Sequence, residues 1–162
     1  MAKMILICGK ICSGKTEYAK SLMKNDAAVL LSSDEITLAL FGSNGGQEHG
    51  AVVEKLQKYL YKKSLEIVEA GMNVILDWGF WTQKDRHEAN TFFSKNNIAF
   101  EWHYIDSSDD ILQKNLRKRN HDIEEGGAEA YYFPENIVIG FWEMFEIPQK
   151  NEIDVWVDNC IV

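Results

Sequence analysis

Met4-Ile5-Leu6-Ile7-Cys8-Gly9-Lys10-Ile11-Cys12-Ser13-Gly14-Lys15-Thr16 is the stretch from which the rest of this chain is read. A short apolar run rich in Ile and Leu predicts a strand over Lys3–Cys8, and a helical pattern over Gly14–Met23 follows. Between them, Gly9-x-x-x-x-Gly14-Lys15-Thr16 matches the phosphate-loop pattern in full and in the strand–loop–helix context that gives the pattern meaning. Each residue type has a physical task there. Gly9 and Gly14 let the backbone curl so that the N–H groups of Lys10, Ile11, Cys12 and Ser13 turn inward on an anion. Lys15 brings a point charge to the β- and γ-phosphates. The Thr16 hydroxyl completes a Mg²⁺ shell, and the new helix aims its positive end at the phosphates.

Outward from the loop, short apolar runs alternate with longer helical patterns, which predicts an α/β fold with a parallel sheet between helical layers. Further strands are expected over Ala27–Ser32, Met72–Asp77, Ala99–Ile105 and Ile153–Val157. Val52, Val53, Leu56, Leu60, Ile67 and Val68 recur at helical spacing in a helix over His49–Ala70, with Gly71 as its C-terminal stop. Helices are also expected from Glu35, over Thr82–Lys95 with Thr82 as cap, over Ser108–Arg119, and over Pro134–Phe145. The helix over Ser108–Arg119 starts on Asp109-Asp110 and ends on Arg117-Lys118-Arg119, agreeing with the helix dipole at both ends.

No repeat, low-complexity tract or linker divides the 162 residues, so residues 1–162 are read as one domain. Seventeen basic against twenty-five acidic residues give a net charge of −8, so any polyanion must be gripped by a local basic cluster. Cys8, Cys12 and Cys160 show no zinc spacing, and the first apolar run is too short for an export signal or a membrane span, so a reducing cytoplasm is expected. Cys8 and Cys160 read as small buried hydrophobes. Cys12 reads either as a small residue fitting the turn or as a redox-sensitive thiol at a helix N-terminus. His49, His87, His103 and His121 have no ligand spacing and receive no role.

Two carboxylates stand at strand ends, where ligands of open α/β sheets bind. Asp34 follows the second strand and either accepts the proton of an attacking hydroxyl or, with Ser33, caps the next helix. Asp77 closes Val74-Ile75-Leu76 and is suited to hold Mg²⁺ directly or through water. Arg117 and Arg119 lie at the base of a polar segment containing Gly126-Gly127, which suggests a lid at about 116–135 closing on phosphates; dipole complementarity is the alternative. Arg86 either reaches a substrate or lies on a solvated face. Trp78, Phe80, Trp81, Tyr131, Tyr132 and Phe133 either wall an acceptor or pack the core.

The phosphate loop, Asp34 after strand two, Asp77 after strand three, a basic lid helix and the late Phe145-Glu146-Ile147-Pro148 together resemble small P-loop kinases of the polynucleotide-kinase, chloramphenicol-phosphotransferase and zeta-toxin types. The resemblance implies a three-layer P-loop NTPase fold with a five-stranded parallel sheet and a small lid, ATP with Mg²⁺, and γ-phosphoryl transfer to a hydroxyl. Under it Lys15, Asp34, Arg117 and Arg119 are catalytic, with Asp34 as base. Thr16 and Asp77 serve the metal, Asp34, Arg86 and Trp78 meet the acceptor, and Phe145–Glu152 lies near the adenine. Asn115 departs from the pattern, standing where the family's lid helix often carries its first arginine.

A regulatory GTPase would need Asn-Lys-x-Asp and Asp-x-x-Gly motifs, and neither occurs. A nucleotide-binding protein without phosphotransfer and a polynucleotide 5′-hydroxyl kinase are the remaining alternatives. The charge balance favours a small-molecule or mononucleotide acceptor over long nucleic acid, and no membrane partner is expected. Lys15→Ala is expected to weaken Mg·ATP binding roughly tenfold or more, since a charge-assisted contact is lost, and to abolish transfer. Calorimetry showing undiminished affinity, with transfer retained, would remove the loop from the account.

Overall fold

A computed structural model describes residues 1–43 and 48–159; Cys160 lies outside this range. Five strands form one parallel sheet: β1 (Met4–Cys8), β2 (Ala28–Leu31), β3 (Asn73–Gly79), β4 (Phe100–Asp106) and β5 (Val155–Asp158), in the order β2-β3-β1-β4-β5. Six helices connect them: α1 (Lys15–Asn25), α2 (Ser33–Phe41), α3 (His49–Glu69), α4 (Gln83–Lys95), α5 (Asp109–Glu124) and α6 (Glu135–Met144).

The central strand explains the layering. Every residue of β1 is buried, and alternation sends Met4, Leu6 and Cys8 to one face and Ile5 and Ile7 to the other. The first face packs Val74, Leu76, Trp102 and Tyr104 against Ala89 and Phe93 of α4 and the partly buried Tyr61 and Leu65 of α3. The second packs Ile75 and Ile105 against Ala19 and Leu22 of α1. A strand apolar on both faces can be stable only between two helical layers, which is the observed arrangement. Burial pushes the Cys8 thiol up to about 12, so it stays protonated as a small core residue.

Register sets the site. Ile7 pairs with Asp77, and Cys8 pairs with Gly79, so the ladder slips at Trp78. Asp77 therefore reaches the end of the sheet level with the residue two before Gly9, and the Gly9 amide donates to the Gly79 carbonyl at 3.2 Å.

Several helix ends follow local chemistry. Thr82 and Asp85 form a reciprocal capping box at α4. At the end of α3, Gly71 takes φ 88°, with Gly71 N–H on the Val68 carbonyl and Met72 N–H on the Ile67 carbonyl, the two-bond pattern that left-handed glycine permits. Two expectations need correction. The cap of α2 is Ser32, whose hydroxyl accepts from Glu35 N–H at 3.3 Å, so Ser33 and Asp34 are both inside the first turn. And α5 continues to Glu124, beyond Arg119. Arg117, Lys118 and Arg119 thus sit inside the helix, where terminal carbonyls no longer explain them.

Arg86 meets neither of its expected environments. It is 2% exposed, and its Nε donates to Glu152 Oε1 at 3.1 Å while Nη1 donates to the carbonyls of Phe80 at 3.2 Å and Glu146 at 3.0 Å. It fastens the stretch 145–152, including the short 3-10 helix Lys150–Glu152, to the β3–α4 turn. Arg86→Met keeps much of the volume but strands a carboxylate and two carbonyls. It is expected to lower the unfolding free energy in urea by about 3 kcal/mol. A loss under about 1 kcal/mol would contradict this anchoring role.

Candidate functional site

The phosphate loop is held by its carbonyls. Lys15 Nζ donates to the Lys10 carbonyl at 2.8 Å, Trp142 Nε1 to Ile11 at 3.0 Å, and Asn115 Nδ2 to Cys12 at 2.9 Å. The Ser13 carbonyl accepts from both Ser107 Oγ at 2.9 Å and Asn159 Nδ2 at 3.1 Å. The Ile11, Cys12 and Ser13 carbonyls are thereby tied to distant elements, while the Lys10 carbonyl is held within the loop, also accepting the Ser13 N–H at 3.1 Å. Because a trans peptide carries N–H and C=O on opposite sides, fixing each carbonyl also fixes where the next amide points.

Backbone geometry matches this clamp. A Cβ on Gly9 would come within 2.7 Å of Ser13 Oγ and 3.0 Å of the Ile105 carbonyl, so the loop closes only around glycine. Gly14 takes φ 99°, and Cys12, with φ 65°, occupies the left-handed region despite its side chain. Such a residue costs roughly 1–2 kcal/mol. The neighbouring hydrogen bonds on Ile11, Cys12 and Ser13 offset that strain. Burial raises the Cys12 thiol above its ordinary value, against the pull of Arg119 and Lys15, which favours the small-residue reading.

The charged groups converge here. Thr16 Oγ1 donates to Asp77 Oδ2 at 2.9 Å, and Asp77 is buried. Loss of hydration lowers the Lys15 ammonium below its ordinary value, opposed by Asp77, Cys12 and Asp34 in turn. Asp34 keeps access to water at the first turn of α2. Partial desolvation still raises its carboxyl above the ordinary range; Arg119 opposes the rise, Asp77 adds to it, and Lys15 and His49 oppose it.

The lid arginines separate. Arg119 lies beside the Cys12 thiol, with its guanidinium 5.1 Å from the centre of the Phe133 ring and its Nε buried without a hydrogen-bond partner among the described residues. Arg117 is 67% exposed and pairs with Glu135 at 3.2 Å, away from the loop. Asn115, the departure from the family pattern, holds the Cys12 carbonyl instead of a phosphate contact. The segment after α5 is drawn down by Asn120, which donates to the Phe133 carbonyl at 2.7 Å, and by the Tyr131 hydroxyl, which donates to Thr37 Oγ1 at 2.7 Å.

Of the aromatics, Trp78 packs on Tyr61 and Phe80 at 5.5 Å each and joins the core. Tyr131, Phe133, Phe141 and Trp81 make successive ring contacts of 6.4, 6.2 and 5.3 Å. Sequence reasoning missed His49, Ser107, Trp142 and Asn159. None belongs to a local motif, and their partners lie far along the chain.

Several proteins share this fold. The family model described as an AAA domain matches residues 4–130, and the chain belongs to that family. No curated protein matches the sequence. Among solved structures, a proposed kinase from Chloroflexus aurantiacus superposes with TM-score 0.74 at 16% identity, over 99% of this chain and 89% of its own. The APS kinase CysC of Mycobacterium tuberculosis, solved with AMPPNP and APS, gives 0.65 at 15% identity, over 99% and 90%. A chain of the Pnkp1/Rnl/Hen1 RNA repair complex gives 0.70 at 19% identity, over 88% of this chain but 43% of that one. These likenesses show the fold, a P-loop kinase fold with a five-stranded parallel sheet.

The carbonyl clamp makes its own prediction. Asn115→Ala and Trp142→Phe each release one loop carbonyl, and each should weaken Mg·ATP about fivefold, the equivalent of about 1 kcal/mol of hydrogen bond. The two together should weaken it by about twenty-five-fold, because their partners are separate carbonyls. Calorimetric affinities within twofold of the parent for both single variants would show that the loop holds its shape without them.

Proposed function

We propose that this member of the AAA-domain family is an ATP-dependent kinase that transfers the γ-phosphoryl group to a hydroxyl of a small-molecule or mononucleotide acceptor. One observation carries the reading: Ser13 Oγ within the loop and Arg119 Nε, whose side chain lies beside Cys12, are buried and unpartnered among the described residues. Buried polar atoms normally have partners, and both of these would find them on phosphate oxygens.

The chemistry uses this chain's own groups. The acceptor oxygen attacks the γ-phosphorus, the bond to the β,γ-bridging oxygen breaks, and ADP leaves with the electron pair. Asp34 receives the acceptor's proton. Lys15, released from the Lys10 carbonyl, and Arg119, beside the loop, neutralise charge on the transferring group. Thr16 and Asp77 would hold Mg²⁺, which would supply positive charge against the phosphates. The donor set fits: one hydroxyl and one carboxylate suffice when phosphate and water complete the shell, and no cluster of three metal-ligating side chains occurs among the described residues.

A binding protein without transfer has no need of a carboxylate within the electrostatic reach of both Lys15 and Arg119, as Asp34 is. A small acceptor is supported by the state of the basic residues. Arg117, Lys118, Lys58 and Lys63 are paired with Glu135, Asp122, Glu54 and Glu66. With a net charge of −8, this pairing of the most conspicuous basic residues disfavours tracking a polynucleotide. No described helix is long and apolar enough to cross a membrane.

γ-Labelled ATP offered with a panel of hydroxyl acceptors tests the activity. Asp34→Asn should cut kcat by roughly 10²–10⁴-fold while Mg·ATP affinity stays within about threefold. The pH profile adds a signed test. Asp34 must be ionised to act, so its raised pKa places the acid limb of kcat/KM above that of an ordinary carboxylate. Arg119 lowers that pKa, so Arg119→Met should move the limb further up. A limb that stays put or moves down would contradict the assignment of Asp34 as base.

A further inference from the structure

A third buried side-chain atom, His49 Nδ1, also lacks a hydrogen-bond partner among the described residues, and phosphate binding does not account for it. His49 is the first residue of α3, and its ring stands edge-on to Tyr131 with centroids 5.1 Å apart. The Tyr131 hydroxyl is committed to Thr37 Oγ1 at 2.7 Å, and Thr37 in turn donates to the carbonyls of Ser33 at 3.0 Å and Asp34 at 3.2 Å. One ring contact and one buried hydrogen bond therefore fix the imidazole relative to the turn that carries Asp34. The imidazole also acts electrostatically on the Asp34 carboxyl.

This placement is on the acceptor side of the site. The phosphates are claimed by the loop, Lys15 and Arg119. His49 is reached instead through α2 and through Tyr131, the first ring of the aromatic series that continues to Phe133 and Phe141. A ring nitrogen held still, buried and unpaired is costly unless a bound molecule completes it.

We propose that His49 is an acceptor-binding residue whose imidazole hydrogen-bonds a second polar group close to the hydroxyl that Asp34 receives. The acceptor class that this selects is a compact alcohol with a neighbouring hydrogen-bonding substituent, such as the hydroxyls of a ribose, a sugar ring or a polyol, in preference to a lone alcohol. The assignment rests on the kinase reading of the same site. Discrimination of this kind is strong because the analogue lacking the group leaves the buried nitrogen unpaired.

The test offers γ-labelled ATP with matched acceptor pairs, each acceptor beside its analogue lacking one neighbouring hydroxyl: glucose and 2-deoxyglucose, uridine and 3′-deoxyuridine, glycerol and 1,3-propanediol. The parent protein should prefer one fully hydroxylated member by roughly tenfold or more in kcat/KM. His49→Phe, which keeps the ring contact with Tyr131 but removes both nitrogens, should cut that preference to within about threefold by raising KM for the hydroxylated member. His49→Asn, which restores a polar atom near the Nδ1 position, should recover part of it, and thermal melts establish that both variants fold. A preference unchanged in His49→Phe, or no preference in the parent, would overturn the role of His49 and leave the kinase reading standing. Absence of transfer from the parent to every acceptor would overturn the kinase reading, and the assignment with it.

Discussion

The anchoring of the Lys10, Ile11, Cys12 and Ser13 carbonyls is the constraint on which the rest of this structure depends. The Lys10 carbonyl is satisfied within the loop, by Ser13 N–H and Lys15 Nζ, whereas the curl sends the Ile11, Cys12 and Ser13 carbonyls apart to distant donors. Side-chain partners of the four carbonyls come from α1, α6, α5 and the ends of β4 and β5, at sequence separations reaching 146 residues. The order of the sheet makes this possible. β1 lies at its centre, so the loop that follows it is reached from β4 and β5 on one side and meets Asp77 of β3 on the other. The fold is in this sense a frame around four peptide groups.

The same site concentrates what a stable interior avoids. Cys12 is held in a left-handed conformation, Lys15 is partly stripped of water, and two carboxylates face two cations without closing into salt bridges. Elsewhere among the described residues the buried side-chain nitrogens and oxygens have partners. Arg86 uses three acceptors, and Asn120 bonds both the carbonyl and the amide of Phe133. Unpaired buried side-chain atoms occur among the described residues at Ser13, His49 and Arg119, all of which border the loop or Asp34. Concentration of unmet hydrogen bonds at one place is what a site awaiting a polar, charged ligand would show.

Much of this was legible in the sequence because it is local. The strand, loop and helix from Met4 to Asn25 follow from composition and glycine spacing. Asp77 follows from an apolar strand that closes on a carboxylate, and Thr82 and Gly71 follow from cap chemistry. What stayed hidden is long-range. Arg117-Lys118-Arg119 looks like a helix terminus, yet burial of Leu116 and Asn120 carries α5 another turn, and rotation along the helix sends Arg119 to the loop and Arg117 to Glu135. Arg86 has the spacing of a surface residue, but two backbone carbonyls and Glu152 draw it inside. Asn115, Trp142 and Asn159 act through single hydrogen bonds to a backbone far away, and no periodicity announces such a contact. His49 has no ligand spacing, and its significance lies in a ring nitrogen without a partner among the described residues.

On this reading the loop amides other than Ser13, whose N–H meets the Lys10 carbonyl, are already aimed at the position of a polyphosphate. The most direct measurement is a titration of isotopically labelled protein with Mg·ATP, following the backbone N–H resonances of residues 11–16. The account predicts large, saturable shifts concentrated at these amides, and slowed hydrogen exchange there. Strong sheet amides such as Ile5 and Ile75 should remain unmoved. Shifts absent from residues 11–16, or spread evenly over the molecule at saturating nucleotide, would contradict it.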